Sequence, residues 1–362
     1  MFRLVIVAVA LVAAGVAFVP RSTDPPPSAG SPGPPGLTLP QLAGQHMVFA
    51  YDGLKPPPAL RRRIARGEAA GVILFARNVR SAAQVRRVVA GLQAIARPRG
   101  LTVPLLIMAD QEGGPVRRIP GAPARAAGDV TSTAQARADG RAAARTLRSA
   151  GVNMNLAPVA DVARPGAALE RERRIYSRSA DAVASRAGAF TQGLHDGGVR
   201  ATAKHFPGFG AASVNTDSAP ARIDASLETL RRVDLKPFAA QIVAGVDAIM
   251  VSTAVYGARD TRPAAFSSRW VTSELRERMG FGGVVIADDL GTPAVRAYGS
   301  VGRRAVLAAK AGVDLPLFSM TYADGARAAE GLLAAARSGE LPRALLREQA
   351  GRVLALRASI GR

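Results

Sequence analysis

Val199-Arg200-Ala201-Thr202-Ala203-Lys204-His205-Phe206-Pro207-Gly208-Phe209-Gly210 is the stretch on which the fold turns. A short apolar run stops at two side chains able to carry charge, and a Pro-Gly turn follows at once. A lysine closing a buried strand is costly unless it is paired, so this strand delivers polar groups to a shared mouth. The pattern repeats along the chain. Asp110 ends the run Pro104–Ala109, Asp161 follows Val152–Leu156, and Asp288-Asp289 close Gly283–Ala287. Met47–Ala50, Gly71–Phe75, Ala248–Ser252 and Val313–Leu317 complete eight candidate strands.

Helical periodicity fills the intervals 81–97, 132–150, 179–196, 226–244, 267–278 and 301–311, and two further helices, 321–337 and 342–358, close the chain. Ser81 and Ser267 are placed as N-caps, and Gly197-Gly198 and Gly280 as helix stops. Strands alternating with helices predict a parallel α/β fold. Eight units in about 320 residues predict a single (β/α)8 TIM-type barrel, active at the carboxyl ends of its strands. An open doubly wound sheet needs a glycine-rich phosphate turn after its first strand, and Tyr51-Asp52-Gly53-Leu54 is not one.

Composition narrows the chemistry. The 362 residues contain no cysteine, which removes thiolate metal sites, disulfides and a cysteine nucleophile. Three histidines, His46, His195 and His205, leave little for a histidine-based metal cage; no metal and no organic cofactor is expected. The net charge of +21 is carried by arginine, with only four lysines. These arginines are scattered through helical segments without interleaved aromatics, so no nucleic-acid partner is expected. Residues 1–19 (Met1-Phe2-Arg3, then an apolar run of about 16 residues) read as a signal peptide or a retained N-terminal anchor. Residues 20–38, rich in Pro, Ser and Gly, read as a linker, and 39–362 as the barrel. The chain is thus expected outside the cell or in its envelope, touching membrane only through such an anchor. Its oligomeric state is not legible.

Three segments, in order, carry a resemblance: Leu106-Ile107-Met108-Ala109-Asp110-Gln111-Glu112-Gly113-Gly114, Lys204-His205-Phe206-Pro207-Gly208 and Val285-Ile286-Ala287-Asp288-Asp289-Leu290. Together they resemble the N-terminal barrel of glycoside hydrolase family 3, nearest its single-domain bacterial β-N-acetylhexosaminidases, from about residue 40 to 358. The resemblance implies a retaining β-glycosidase acting on terminal β-N-acetylglucosamine of cell-wall glycans. By position, Asp288 matches the nucleophile that forms a glycosyl-enzyme. Asp110 matches the residue gripping sugar hydroxyls, and Lys204 and His205 the pair donating to the same sugar. Arg118 and Arg174 match two further substrate-binding arginines, although Ile175-Tyr176 replaces the Ser-Phe that usually follows the latter.

Departures concentrate on the proton donor. The family's acid is a histidine on the loop after the fifth strand, paired with an aspartate two residues earlier. Here the loop reads Asp217-Ser218-Ala219, so the aspartate remains and the imidazole does not. Phe209 and Thr253 also stand where histidines are expected, and Pro115 where arginine is usual. General-acid help is worth about 10²–10⁴ in rate. Three readings follow: a glycosidase using Asp217 or an outside group as the acid, a catalytically impaired glycan-binding barrel, or altered chemistry on a pre-activated donor, such as transfer or phosphorolysis.

Overall fold

The first helix among the described residues is capped by Thr38. In the computed structural model, which describes residues 36–361, Thr38 and Gln41 form a capping box on helix α1 (Leu39–Gln45). Sequence had assigned Thr38 to the linker, and α1 itself was not foreseen. The expected export segment and residues 20–35 lie outside the described residues.

Seven parallel strands follow: β1 (Val48–Phe49), β2 (Gly71–Leu74), β3 (Leu106–Ala109), β4 (Met154–Asn155), β5 (Arg200–Phe206), β6 (Ala248–Val251) and β7 (Val284–Ala287). They are hydrogen-bonded in that order. The eighth expected strand, Val313–Leu317, is not a ladder. Single parallel bridges join Ile286 to Leu315 on one side and Phe49 to Phe318 on the other, and these close the cylinder. Pro316 lacks the N–H a ladder requires, and the Asp314 carboxylate takes the Val285 N–H instead, at 2.7 Å.

Period-2 alternation divides most of the strands between two cores. Val48, Ile73, Leu106, Met108, Met154, Met250, Val284 and Ile286 fill the barrel interior. Phe49, Val72, Leu74, Ile107, Ile249, Val251 and Val285 face the surrounding helices. Each such buried side chain contributes roughly 1.5–3 kcal/mol of transfer free energy. Val353 and Leu356, from the helix Arg343–Ala358, join the interior core.

The helical intervals match expectation closely, with Ala82–Gln93 capped by Ser81 and Ala180–Asp196 ending at Gly197. The interval 267–278 winds instead as a π-helix over Arg269–Arg278, and Ser267 Oγ accepts the Trp270 N–H at 3.4 Å.

Candidate active site

A cavity of about 520 Å³ opens at the carboxyl ends of the strands. Its floor is the last layer of the interior core: Ile73, Leu156, Met250 and Leu317. All seven residues expected from sequence line it, namely Asp110, Arg118, Arg174, Lys204, His205, Asp217 and Asp288. Lys204 and His205 both face it although they are neighbours on β5, where alternation should separate them. The β5–β6 register shifts between Lys204 and Phe206, and the intervening peptide is cis.

Lys204 is buried and bonds two carboxylates, Asp110 Oδ1 at 2.7 Å and Glu112 Oε1 at 2.7 Å. Arg174 grips Glu112 with both arms of its fork, at 2.9 and 2.8 Å. Burial alone pushes the Glu112 carboxyl up, but Arg174 and Lys204 outweigh it and hold the group well below the usual carboxylate range. Glu112 is the main residue to which sequence reasoning gave no role; it was quoted only as part of the first motif. Both side-chain partners of Arg174 among the described residues are carboxylates, Glu112 and, at 3.1 Å, Glu172. Arg118 hangs over the Phe75 ring with its Nε 3.8 Å from Asp110. That Nε is buried with no hydrogen-bond partner among the described residues, a donor left unspent beside the Asp110 carboxylate.

His205 is held by a residue singled out only as a strand-end charge. Asp161 is fully buried and spends its oxygens on His205 Nδ1 at 2.8 Å, on the His205 N–H at 3.1 Å and on the Phe209 N–H at 2.6 Å. Nδ1 thus carries the proton given to Asp161, and Nε2 has no partner among the described residues. Phe209, in the place of an expected histidine, packs its ring edge-on to His205 at 5.8 Å and also lines the cavity. Thr253, the second such position, is buried away from the cavity lining.

Asp288 follows β7 directly and its N–H is tied to the Val251 carbonyl at 2.8 Å, so the strand end fixes its backbone. Burial pushes its pKa up and the Asp217 carboxylate adds to this, while His205 and Lys204 pull it back. Asp289 caps no helix. It takes the N–H groups of Gly291 at 2.7 Å and Ser319 at 3.1 Å and the Ser319 hydroxyl, clamping β7 to the segment that closes the barrel.

The loop after β5 is tied at its base and exposed at its tip. Gly208 has φ +127°, and a Cβ there would lie 2.6 Å from the Asp234 side chain; one at Gly210 would lie 2.0 Å from the Val162 carbonyl. The turn at Thr216–Ser218 then carries Asp217 over the cavity mouth. Asp217 as a residue is exposed, yet its carboxyl is crowded by protein and by the Asp289 carboxylate, which push its pKa up. Ala219 is half-buried and outside the cavity lining. The other histidines are elsewhere: His46 is buried against the Asp314 and Leu346 carbonyls, and His195 pairs with Asp247.

Comparison with known proteins bears out the resemblance. Residues 39–356 match the Glycosyl hydrolase family 3 N terminal domain. An uncharacterized secreted glycosyl hydrolase of Arthroderma benhamiae is 39% identical over 335 residues, covering 90% of this chain and 94% of that protein. A β-hexosaminidase of Xanthomonas campestris pv. campestris is 40% identical over 259 residues, covering 68% of this chain and 76% of the relative. Among solved structures, a β-N-acetylhexosaminidase from Beutenbergia cavernae superposes with a TM-score of 0.82 at 33% identity, covering 89% of this chain and 99% of that one. A family 3 β-N-acetylglucosaminidase from Paenibacillus sp. gives a TM-score of 0.84 at 35% identity; 90% of this chain is covered, spanning 64% of that longer protein. By sequence and by barrel, this chain belongs to glycosyl hydrolase family 3 and carries the family's N-terminal domain.

Proposed function

We propose that the chain is an exported β-N-acetylhexosaminidase that removes terminal β-N-acetylglucosamine from cell-wall glycans with retention, using Asp288 as nucleophile and Asp217 as acid–base. One observation carries the reading: Asp110, Lys204, His205, Asp217 and Asp288 line a single cavity at the strand ends. The Asp110 carboxylate and the Lys204 ammonium offer charge-assisted hydrogen bonds to the ring hydroxyls. Asp288 then attacks the anomeric carbon, and the departing oxygen takes the Asp217 proton. In the second step Asp217 removes a proton from water as that water attacks the same carbon and releases Asp288. The raised pKa of Asp217 suits a group that must begin protonated. The named activities of the relatives support the substrate class, and the secreted fungal relative supports export.

Ala219 favours a second reading, a glycan-binding barrel without turnover, because a methyl group cannot relay a proton. Aryl β-N-acetylglucosaminides with leaving groups of graded acidity separate the two. A working Asp217 gives a shallow dependence of rate on leaving-group pKa, and Asp288→Ala abolishes turnover. A steep dependence that flattens in Ala219→His means Asp217 alone is a poor acid. No turnover of any aryl glycoside, with chitooligosaccharide binding still measurable by calorimetry, rejects the hydrolase in favour of the binder.

A further inference from the structure

A second cavity, of about 670 Å³, lies at the opposite end of the barrel, where the chain enters β3, β4 and β5. Arg97, Arg148, Arg200 and His195 line it, and among the described residues no carboxylate does. Asp247 stands behind that wall with its oxygens already taken, by His195 Nε2 at 2.7 Å, Arg200 Nη1 at 3.2 Å and the Ala201 N–H at 2.8 Å.

Three guanidinium groups here, those of Arg97, Arg148 and Arg357, lack a counter-ion among the described residues; Arg148 donates to the Gly197 carbonyl at 3.1 Å. Arg97 donates only to backbone carbonyls, those of Leu101 at 3.1 Å, Gln93 at 3.1 Å, Ile95 at 3.2 Å and Thr102 at 3.3 Å. Arg357 is fully buried behind the same wall and donates to the Pro104 and Val103 carbonyls, each at 2.9 Å, and to the Gln45 side-chain oxygen. Carbonyls orient a guanidinium without neutralising it. Burial, with the neighbouring Arg97 charge, pushes the Arg357 pKa down to about 9. A buried cation beside a second cation is expensive unless an anion offsets both.

We propose that this cavity is an oxyanion site that takes a phosphate group between Arg148, Arg97 and Arg200. Guanidinium forks match the geometry of such oxygens. Pro104, Val152, Val199 and Ile360 supply the apolar part of the wall, and its one aromatic ring among the described residues, the His195 imidazole, is held by Asp247, so the wall offers no Phe, Tyr or Trp platform on which a nucleobase could stack. The phosphate comes either as the free ion or as one unit of a phosphodiester chain.

Thermal unfolding of the full chain tests the site. Inorganic phosphate at 10 mM should raise Tm by roughly 2–4 °C above sodium chloride of matched ionic strength. Arg148→Glu should abolish that increment. Arg148 is exposed on its helix, so this variant should fold; calorimetric titration of Arg148→Gln with phosphate gives a second reading. A poly(glycerol phosphate) oligomer serves as the other probe. A shift with the oligomer alone identifies chain-borne phosphate, and equal shifts identify the free ion. No shift beyond chloride with either probe, or a phosphate shift surviving in Arg148→Glu, overturns the proposal.

Discussion

Replacing Lys204 by methionine tests whether the cation beneath the active-site cavity holds the site together. Methionine keeps most of the apolar stem and removes the charge. Lys204 is only 3% exposed at its side chain and lies 2.7 Å from each of Asp110 and Glu112. Removing one partner of a buried ion pair costs about 3–5 kcal/mol. Glu112 keeps both bonds from Arg174, whereas Asp110 keeps only Arg118 at 3.8 Å. The loss therefore falls mainly on Asp110 and sits at the lower end, about 3 kcal/mol. Unfolding entropy of roughly 2 cal/mol/K per residue gives a chain of this size roughly 1.5 °C per kcal/mol, so Tm should fall by roughly 4–5 °C.

Calorimetric melts of the wild type, Lys204→Met, Asp110→Asn and the double variant measure this. The double variant should recover part of the loss, because it buries neither charge alone. Acid sensitivity supplies a second readout. The Glu112 pKa is depressed in the fold, so its contribution is present above the unfolded value near ~4.3 and disappears as pH falls below it. Lys204→Met weakens that depression, and its Tm should fall less steeply than wild type from pH 6 to pH 3. A variant melting at or above wild type, or strictly additive losses in the double variant, would refute the account.

Asp161→Asn replaces an acceptor of three N–H groups and frees the His205 tautomer. It should lower kcat/KM on an aryl glycoside about 10–100-fold and cost about 1–3 kcal/mol in denaturant unfolding. Gly208→Ala forces a Cβ against Asp234 at positive φ; the expected result is a loss of at least about 1–3 kcal/mol by denaturant titration. Asp234 is buried beside Arg164, and burial pushes its pKa up to about 7. Its stabilising protonated form is thus complete below the unfolded value of about 4 and is lost as pH rises through about 7. Across that window the Tm of Asp234→Asn should gain on wild type, and a pH-independent difference would exclude the raised pKa.

Much of this was legible because strands announce themselves locally. Gly71–Leu74, Leu106–Ala109 and Val284–Ala287 are runs whose character depends on neighbours within a few residues, and the polar residue ending a run marks the cavity side. Partnerships are another matter. Nothing near Glu112 indicates that Arg174 and Lys204 will meet on it, since 62 residues separate the first pair. Asp161 was legible as a strand-end charge, but its partner was not, because β5 brings His205 beside it from 44 residues away. The segment Val313–Leu317 has a strand's composition, yet Pro316 limits it to lone bridges. The π-winding of Arg269–Arg278 has no sequence signature that separates it from an ordinary helix.

That proline has a mechanical consequence. The closing segment meets each neighbour by a single bridge; toward β7 further backbone bonds and the Asp289 clamp reinforce it, so the thin seam is the one where Phe49 meets Phe318. The seam runs up to Leu317 and Ser319 on the cavity wall, beside the Asp289 clamp. Breathing of the molecule should therefore start there, and the amide proton at 318 should exchange with deuterium sooner than those of β3 or β6. If the seam opens first, the cavity should widen on that side while the wall that carries Asp110 and Lys204 stays in place.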